Sequence, residues 1–512
     1  MARTKTLSID FMGGTLTDAA SNAAESKLTA MRALRRLAPL CALALLVVAP
    51  TLASERRPNV LLLLAGDQRA DTIGALGNRY IATENLNRLV SRGFSFRNAY
   101  VFGSKDNDVS ASSRSMLHTG RIWLRDGEQG LSLPERLAAA GYQTFIAGRW
   151  HGDEDSLRKS YQRGRAIQTG EATAHLGLAV RELSDGALSS PKSTQAFSSE
   201  LFADAAIELL KGVDASRPFF GFVGFTAPRD PRQPPPRYRN FYYENLPPLP
   251  ENFLPQHPFD NGQLRARDES LAGWPRSPSV IRQQLAEYYG MVTHLDEQVG
   301  RVLAALETSP HADDTLVIYA SDHGLALGSH GLLGKQSLYE HSAKTPLIVS
   351  GLGIERGTSD ALVYLHDLVP TILDVAGADD SEEVDGNSLL PLWTGEENRL
   401  RDSVFLPFGR DMRALRTRQH KLIVYPSIGH RQLFDLSIDP QEMRDLASTP
   451  ENVDLVMRLT SKLLQWQERS GDTLPLEADE LANPFVDLSG TERTPDSRQP
   501  KWIVKKYYDQ QP

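Results

Sequence analysis

The amino-acid sequence predicts an α/β protein: a large mixed, mostly parallel sheet sandwiched by helices, followed by a smaller C-terminal α+β domain. Three observations predict it. Short apolar runs suited to buried strands alternate with stretches of helical length, the pattern of a parallel sheet covered on both faces. Several of those runs end in polar and charged clusters, as expected where strand carboxyl ends open on a ligand site. Beyond about residue 395 the pattern changes to short strand-like runs separated by turns.

The 512 residues, 40% hydrophobic and 23% charged, have ordinary globular composition and suffice for a large core plus a second domain. A net charge of -8 excludes a general nucleic-acid binder, which needs surplus Lys and Arg. Any anionic substrate must therefore meet a local basic cluster.

In chain order, residues 1–30 read as an upstream extension and 31–54 as a signal peptide. Arg32, Arg35 and Arg36 precede an apolar run at 37–48 and a small-residue stretch at 51–54. The run is shorter than the roughly 20 residues of a membrane span, so no stable span is expected after cleavage, and a periplasmic or secreted location is. Removing residues 1–54 takes away six basic and three acidic residues, leaving -11, and with them the lone cysteine, Cys41. The mature chain then has no disulfide.

The main domain is expected at 56–395. Its apolar runs at 60–65, 144–147, 219–225, 315–320 and 346–350 read as buried parallel strands. Helices are expected at 84–91, 133–140, 200–211, 281–306 and 368–376, the second opening with Pro134 and stopping at Gly141. The Pro- and Arg-rich stretch 228–275 lacks periodicity and reads as a surface excursion near the site edge. A small antiparallel sheet and helix domain follows at 400–476, with strands at 415–417, 421–425 and 432–435 and a helix at 453–466, then a polar tail at 477–512.

Three clusters carry chemistry. Ala65-Gly66-Asp67-Gln68-Arg69-Ala70-Asp71 directly follows the first strand, although alone it also reads as a solvated loop. Ser321-Asp322-His323-Gly324 follows the 315–320 run; a carboxylate beside an imidazole at a sheet mouth suits a divalent cation, calcium or magnesium. Ser110-Ala111-Ser112-Ser113-Arg114 leads into Ser115-Met116-Leu117-His118-Thr119-Gly120-Arg121. A serine near an arginine at a helix N-terminus can present a nucleophile to a held anion, while a Ser-rich turn also serves as a plain N-cap.

Taken in order, Pro58-Asn59-Val60, Asp67-Gln68-Arg69, the run from Asp71 to Asn78, Ser113-Arg114 and Thr119-Gly120-Arg121 resemble the type I sulfatase family of the alkaline-phosphatase superfamily. Gly148-Arg149-Trp150-His151, Ala227-Pro228-Arg229-Asp230-Pro231, Gly334-Lys335-Gln336 and the C-terminal Gln432-Leu433-Phe434-Asp435-Leu436 with Asp439-Pro440 and Glu442 extend the likeness over about residues 56–470. The resemblance implies hydrolysis of a sulfate ester, of a sulfated small molecule or glycan, with calcium, or magnesium in its place. It implies formylglycine at Ser110, made by a maturation enzyme, with Arg114 orienting it. It further implies metal ligation by Asp67, Asp322 and His323, a sulfate-side or acid-base role for His151, and sulfate binding by Lys335, Arg149 and Arg229.

Four positions depart from the family pattern. Gly66 stands where a second adjacent aspartate is usual, which removes an oxygen ligand from a cation that wants six to eight; Asp106 and Asp108 are conceivable substitutes. Ser110 stands with Ser112 in place of the usual Pro or Ala. Arg149 and Arg229 replace a lysine and a histidine, and a guanidinium holds charge but gives no proton near neutral pH. Two further readings therefore stay open: an oxyanion or sulfated-glycan binding protein without turnover, and a phosphoesterase using unmodified Ser110.

Overall fold

The computed structural model describes residues 57–125, 130–170, 174–378 and 384–488, together with Lys505. The upstream extension, the signal peptide and the tail beyond residue 488 apart from Lys505 lie outside the described residues.

Twelve strands form the main sheet: β1 Asn59–Gly66, β2 Phe94–Tyr100, β3 Gln143–Arg149, β4 Arg163–Gln168, β5 Ala179–Ser184, β6 Ala187–Leu188, β7 Lys192–Ser193, β8 Phe219–Pro228, β9 Thr315–Ser321, β10 Lys344–Thr345, β11 Leu347–Ser350 and β12 Gly357–Tyr364. Their order is β10-β2-β11-β9-β1-β8-β3-β4-β5-β6, with β12 beside β2 and β7 beside β5. The centre, β9-β1-β8-β3-β4, is wholly parallel. The run at 346–350 was expected to be parallel as well. It is β11, antiparallel to both β9 and β2. Length and hydrophobicity mark a strand as buried but carry no sign of its direction.

The helices of seven residues or more are α1 Glu84–Arg92, α2 Val109–Thr119, α3 Leu133–Ala139, α4 Glu154–Ser160, α5 Ser198–Lys211, α6 Pro236–Glu244, α7 Pro278–Glu307, α8 Leu368–Ala376 and α9 Val453–Ser470. Strand geometry explains why β1 is apolar at nearly every position, since successive side chains face opposite sides. Val60, Leu62 and Leu64 pack with Leu133 and Leu137 of α3 and with α8. Leu61, Leu63 and Ala65 join the core beneath α5 and α7. α3 is closed by a Ser132/Glu135 capping box with Pro134 in its first turn.

The stretch 228–275 differs from the surface excursion expected of it. It contains α6 and buries Arg232, Asn252, His257, Asp268 and Glu269. Each of these polar groups makes at least one hydrogen bond in the fold, so a largely polar stretch is buried here without leaving a hydrophobic periodicity to read.

Four antiparallel strands, β13 Ser403–Phe408, β14 Met412–Thr417, β15 His420–Tyr425 and β16 His430–Asp435, make the second sheet in that order. It shares a core with α9 and with Val109 and Met116 of α2. A bridge between Ser104 and Phe408 fastens it to the loop ahead of α2.

Candidate active site

β9, β1, β8 and β3 lie side by side in that order, and residues at or just past their ends meet the first turn of α2. Asp67 follows β1 with a positive φ of 61°, a conformation that costs a non-glycine residue energy and tends to persist at functional positions. It is held there by Tyr288, whose hydroxyl donates to the Asp67 carbonyl (2.7 Å) and accepts from the Arg69 N–H (2.9 Å). Arg69 ties the same loop to the carbonyls of Leu325 and Ala326.

Ser110 lies in the first turn of α2, two residues after the N-cap Asp108. Its hydroxyl donates to Asp67 Oδ1 (3.2 Å) and accepts from Lys335 Nζ (2.9 Å), which also donates to Asp67 Oδ1 (2.6 Å). One turn on, Arg114 donates from Nε to Asp322 Oδ2 (2.7 Å) and from Nη2 to the Phe225 carbonyl (2.9 Å). Asp67, Ser110, Asp322 and Lys335 are each about 1% exposed. Burying such charges is tolerable only when they are paired, and removing one partner typically costs about 3–5 kcal/mol. Burial alone would raise the Asp322 pKa, but Arg114 and Lys335 outweigh it and hold it low.

Three basic groups flank this pair. Arg149, at the end of β3, donates to Gln168 Oε1 (2.7 Å) and to the Gly170 carbonyl. Burial, then Arg229 and Arg114, lower its pKa to about 9, so it stays charged at neutral pH. Arg229 lies 3.8 Å from Asp67 Oδ2; burial works against its charge, yet Asp67, Asp230 and Asp268 leave its pKa raised. His151 accepts at Nε2 from Arg149 Nε (3.0 Å). Burial, then Arg114, Arg149, Arg229 and Lys335, push its pKa well below the ordinary value. The imidazole is thus neutral with its proton on Nδ1, a tautomer assigned from that hydrogen bond, and Nδ1 is buried with no partner. It is a donor awaiting an acceptor.

Four cations (Lys335, Arg114, Arg149, Arg229) therefore gather about Ser110 with two carboxylates, Asp67 and Asp322, among them, while Asp230 and Asp268 act on Arg229 from beyond. This arrangement suits an oxyanion. A cavity of about 920 Å³ begins at Arg114, Arg149 and His151 and runs past Trp150, Trp123 and Lys159, within the range of small-molecule sites.

The donor set does not fit a calcium or magnesium ion. Such ions need six or more oxygens. Asp67 and Asp322 supply four, and each of the four already faces a protein cation or N–H. A third carboxylate at position 66 has no room, since a Cβ there would stand 2.8 Å from the Thr226 carbonyl oxygen. Asp108 caps α2, and Asp106 accepts from the Asp108 N–H, so neither turns inward as a substitute. His323 directs Nδ1 to the Gly324 carbonyl (3.1 Å). Among the described residues no group of three or more His, Cys, Asp or Glu is arranged to hold a metal. An ammonium about 4 Å from an added cation would oppose it by roughly 4 kcal/mol per unit charge.

Sequence reading thus located Asp67, Ser110, Arg114, Arg149, His151, Arg229, Asp322, His323 and Lys335, all found at or beside one centre. It missed Asp268 and Glu269. Gln336 donates to Asp268 Oδ2 (3.1 Å), and Glu269 accepts from the N–H groups of Leu333 (3.0 Å) and Gly334 (2.8 Å), which together set the loop carrying Lys335. The one available signal was an Arg-Asp-Glu run inside a stretch otherwise rich in proline.

Known proteins bear on this centre. The family described as Sulfatase matches residues 58–378, and the one described as N-sulphoglucosamine sulphohydrolase, C-terminal, matches 328–469. An arylsulfatase of Clostridium perfringens is 26% identical over 80% of this chain and 95% of its own. An N-acetylglucosamine-6-O-sulfatase of Bacteroides thetaiotaomicron is 24% identical over 86% and 92%. A structure solved in complex with its substrate D-glucosamine-2-N,6-O-disulfate superposes with a TM-score of 0.71 at 22% identity, over 83% of this chain and all of the other. Since the match at 58–378 spans more than half of the sequence and contains every residue of the Ser110 centre, the chain belongs to the sulfatase family.

Proposed function

We propose that this protein hydrolyses a sulfate ester carried on a glycan, with the Ser110 side chain as nucleophile. The observation that carries the reading is the buried Ser110 hydroxyl, bonded to Lys335 and Asp67 and ringed by Arg114, Arg149, Arg229 and the orphan Nδ1–H of His151. Charge grows on the sulfate and leaving oxygens in such a reaction, and fixed donors in a dry site stabilise it. Ser110 oxygen bonds to sulfur as the ester S–O bond breaks, and its proton passes to Asp67 Oδ1. The departing oxygen keeps the bonding electrons and takes a proton from solvent. Water then attacks the sulfur, the Ser110 O–S bond breaks, sulfate leaves carrying the water oxygen, and the proton held by Asp67 returns to the Ser110 oxygen. His151 donates to a sulfate oxygen, while Arg149 and Arg229 hold the others.

Formylglycine at Ser110 belongs to this reading, with a maturation enzyme as partner. Lys335 and Asp67 offer one donor and one acceptor, which suits the two hydroxyls of its hydrate, and that hydrate would supply a geminal diol where serine has one hydroxyl. The glycan preference draws on the relative named for N-acetylglucosamine-6-O-sulfate and on the C-terminal match named for N-sulphoglucosamine. Export through the 31–54 signal, to the periplasm or medium, is part of the proposal. Among the described residues no helix is long and apolar enough to cross a membrane.

The test uses protein from its native host. Mass spectrometry of the tryptic fragment 106–114 reports loss of two hydrogens at Ser110 on maturation. Sulfate release is then assayed on an aryl sulfate and on glucosamine 6-sulfate oligosaccharides. Unmodified serine with no release from either sinks the proposal; turnover of phosphate esters instead would make the protein a phosphoesterase, and sulfate binding without turnover would make it a glycan-binding protein.

A further inference from the structure

The carboxylates at the centre are not waiting for a cation. Asp67 Oδ1 accepts from Lys335 Nζ at 2.6 Å and from Ser110 at 3.2 Å, and Oδ2 faces Arg229 Nε at 3.8 Å. Asp322 Oδ1 accepts from the Asp67 N–H at 2.9 Å, and Oδ2 from Arg114 Nε at 2.7 Å. An ion entering between them would have to displace a buried ammonium that is itself fixed. The Lys335 N–H donates to Gln336 Oε1 at 3.0 Å, Gln336 is anchored on Asp268, and Glu269 grips the two preceding N–H groups. The protein side has also closed: the Thr226 carbonyl of β8 fills the space that a side chain at Gly66 would need.

From this we infer that the Ser110 centre binds its oxyanion without a divalent cation, with the Lys335 ammonium supplying the positive charge that touches the nucleophile. The charge count supports it. Lys335 and Arg229 face Asp67, Arg114 pairs with Asp322, and Arg149 is bonded to neutral groups, so the cations at the centre outnumber the two carboxylates they touch there; a sulfate group meets unspent positive charge, and an added divalent ion would have to enter among those cations. An ammonium at 2.9 Å from Ser110 can stabilise the oxygen as its proton leaves, the service a cation otherwise performs. The inference rests on reading this centre as the anion site, and the experiment separates the two.

Full-length mature protein is dialysed against EDTA and titrated calorimetrically with calcium chloride, then with sodium sulfate in EDTA and in 5 mM calcium (about the upper range of weak calcium sites). The expected result is no calcium binding by the wild type, and sulfate affinities that agree within about twofold in the two buffers. Lys335→Ala, which frees the Asp67 carboxylate, is expected to gain a calcium-dependent rise in melting temperature and to lose at least about tenfold in sulfate affinity. One calcium bound by the wild type at micromolar affinity, and lost in Asp322→Asn, overturns the inference whether or not Lys335→Ala folds. Absence of sulfate binding in both buffers would instead count against the anion site, and the calcium titration would still decide the question of the cation.

Discussion

Lys335 and Gly66 act on the centre in opposite ways, one by what it brings and the other by what it leaves out. Replacing the nucleophile is the cleanest chemical test. Ser110→Ala should lower turnover by about a thousandfold or more at a stability cost of about 0.5–1.5 kcal/mol, since Lys335 and Asp67 keep their bond to each other when the hydroxyl is lost; residual rates within tenfold of wild type would remove Ser110 from the reaction. Gly66→Asp should fail as a repair. Its Cβ would meet the Thr226 carbonyl at 2.8 Å and that of Phe225 at 3.2 Å, so urea denaturation should report a loss of about 1–3 kcal/mol, with no gain in calcium affinity. At this scale the sequence was legible wherever a residue directly follows a strand or opens a helix, as with Asp67, Asp322, Ser110 and Arg114. Tyr288 and Asp268 were not legible. Tyr288 reaches Asp67 across 221 residues of chain, and no local pattern encodes such a contact.

At the scale of elements, the central strands were readable because both faces of β1, β8 and β9 are buried, which makes their sequences almost uniformly apolar. β4, with the sequence RGRAIQ, and β12, with GTSDALVY, are flanked by less buried surroundings and mix polar with apolar positions, so neither presented the run that marks a buried strand. The junction between the two sheets depends on one small residue. Gly103 has a φ of +64°, and a Cβ there would fall 1.8 Å from the Pro407 carbonyl oxygen. Gly103→Ala should therefore part β13 from the loop ahead of α2, lowering stability by more than about 3 kcal/mol. Hydrogen exchange should show the amides of Ser104 and Gly409, which pair across this junction, losing protection before those of β1; equal protection in wild type and variant would refute the dependence.

The whole molecule carries a pH dependence in its buried imidazoles. Burial above all holds the pKa of His118, His175, His257 and His366 at about 4, against an ordinary 6.5. The folded state keeps them neutral, whereas the unfolded chain protonates them below about 6.5. Their contribution is therefore complete above pH 6.5 and is lost progressively as pH falls toward 4, by up to about 1.4 kcal/mol per pH unit for each histidine. Melts between pH 7.5 and 4.5 should show this slope, and His118→Asn should flatten it; an unchanged slope in that variant would place the acid sensitivity elsewhere. The fastening of Ser104 to Phe408 also has a consequence for how the protein is made. The loop leading to Ser110 is completed by a strand that begins at Ser403, so during synthesis the serine's surroundings stay open until nearly three hundred further residues have left the ribosome. In the finished fold Ser110 is 1% exposed. An enzyme that modified Ser110 would therefore have to reach it before this junction closes, so the order of synthesis and folding would set when the side chain is open to chemistry.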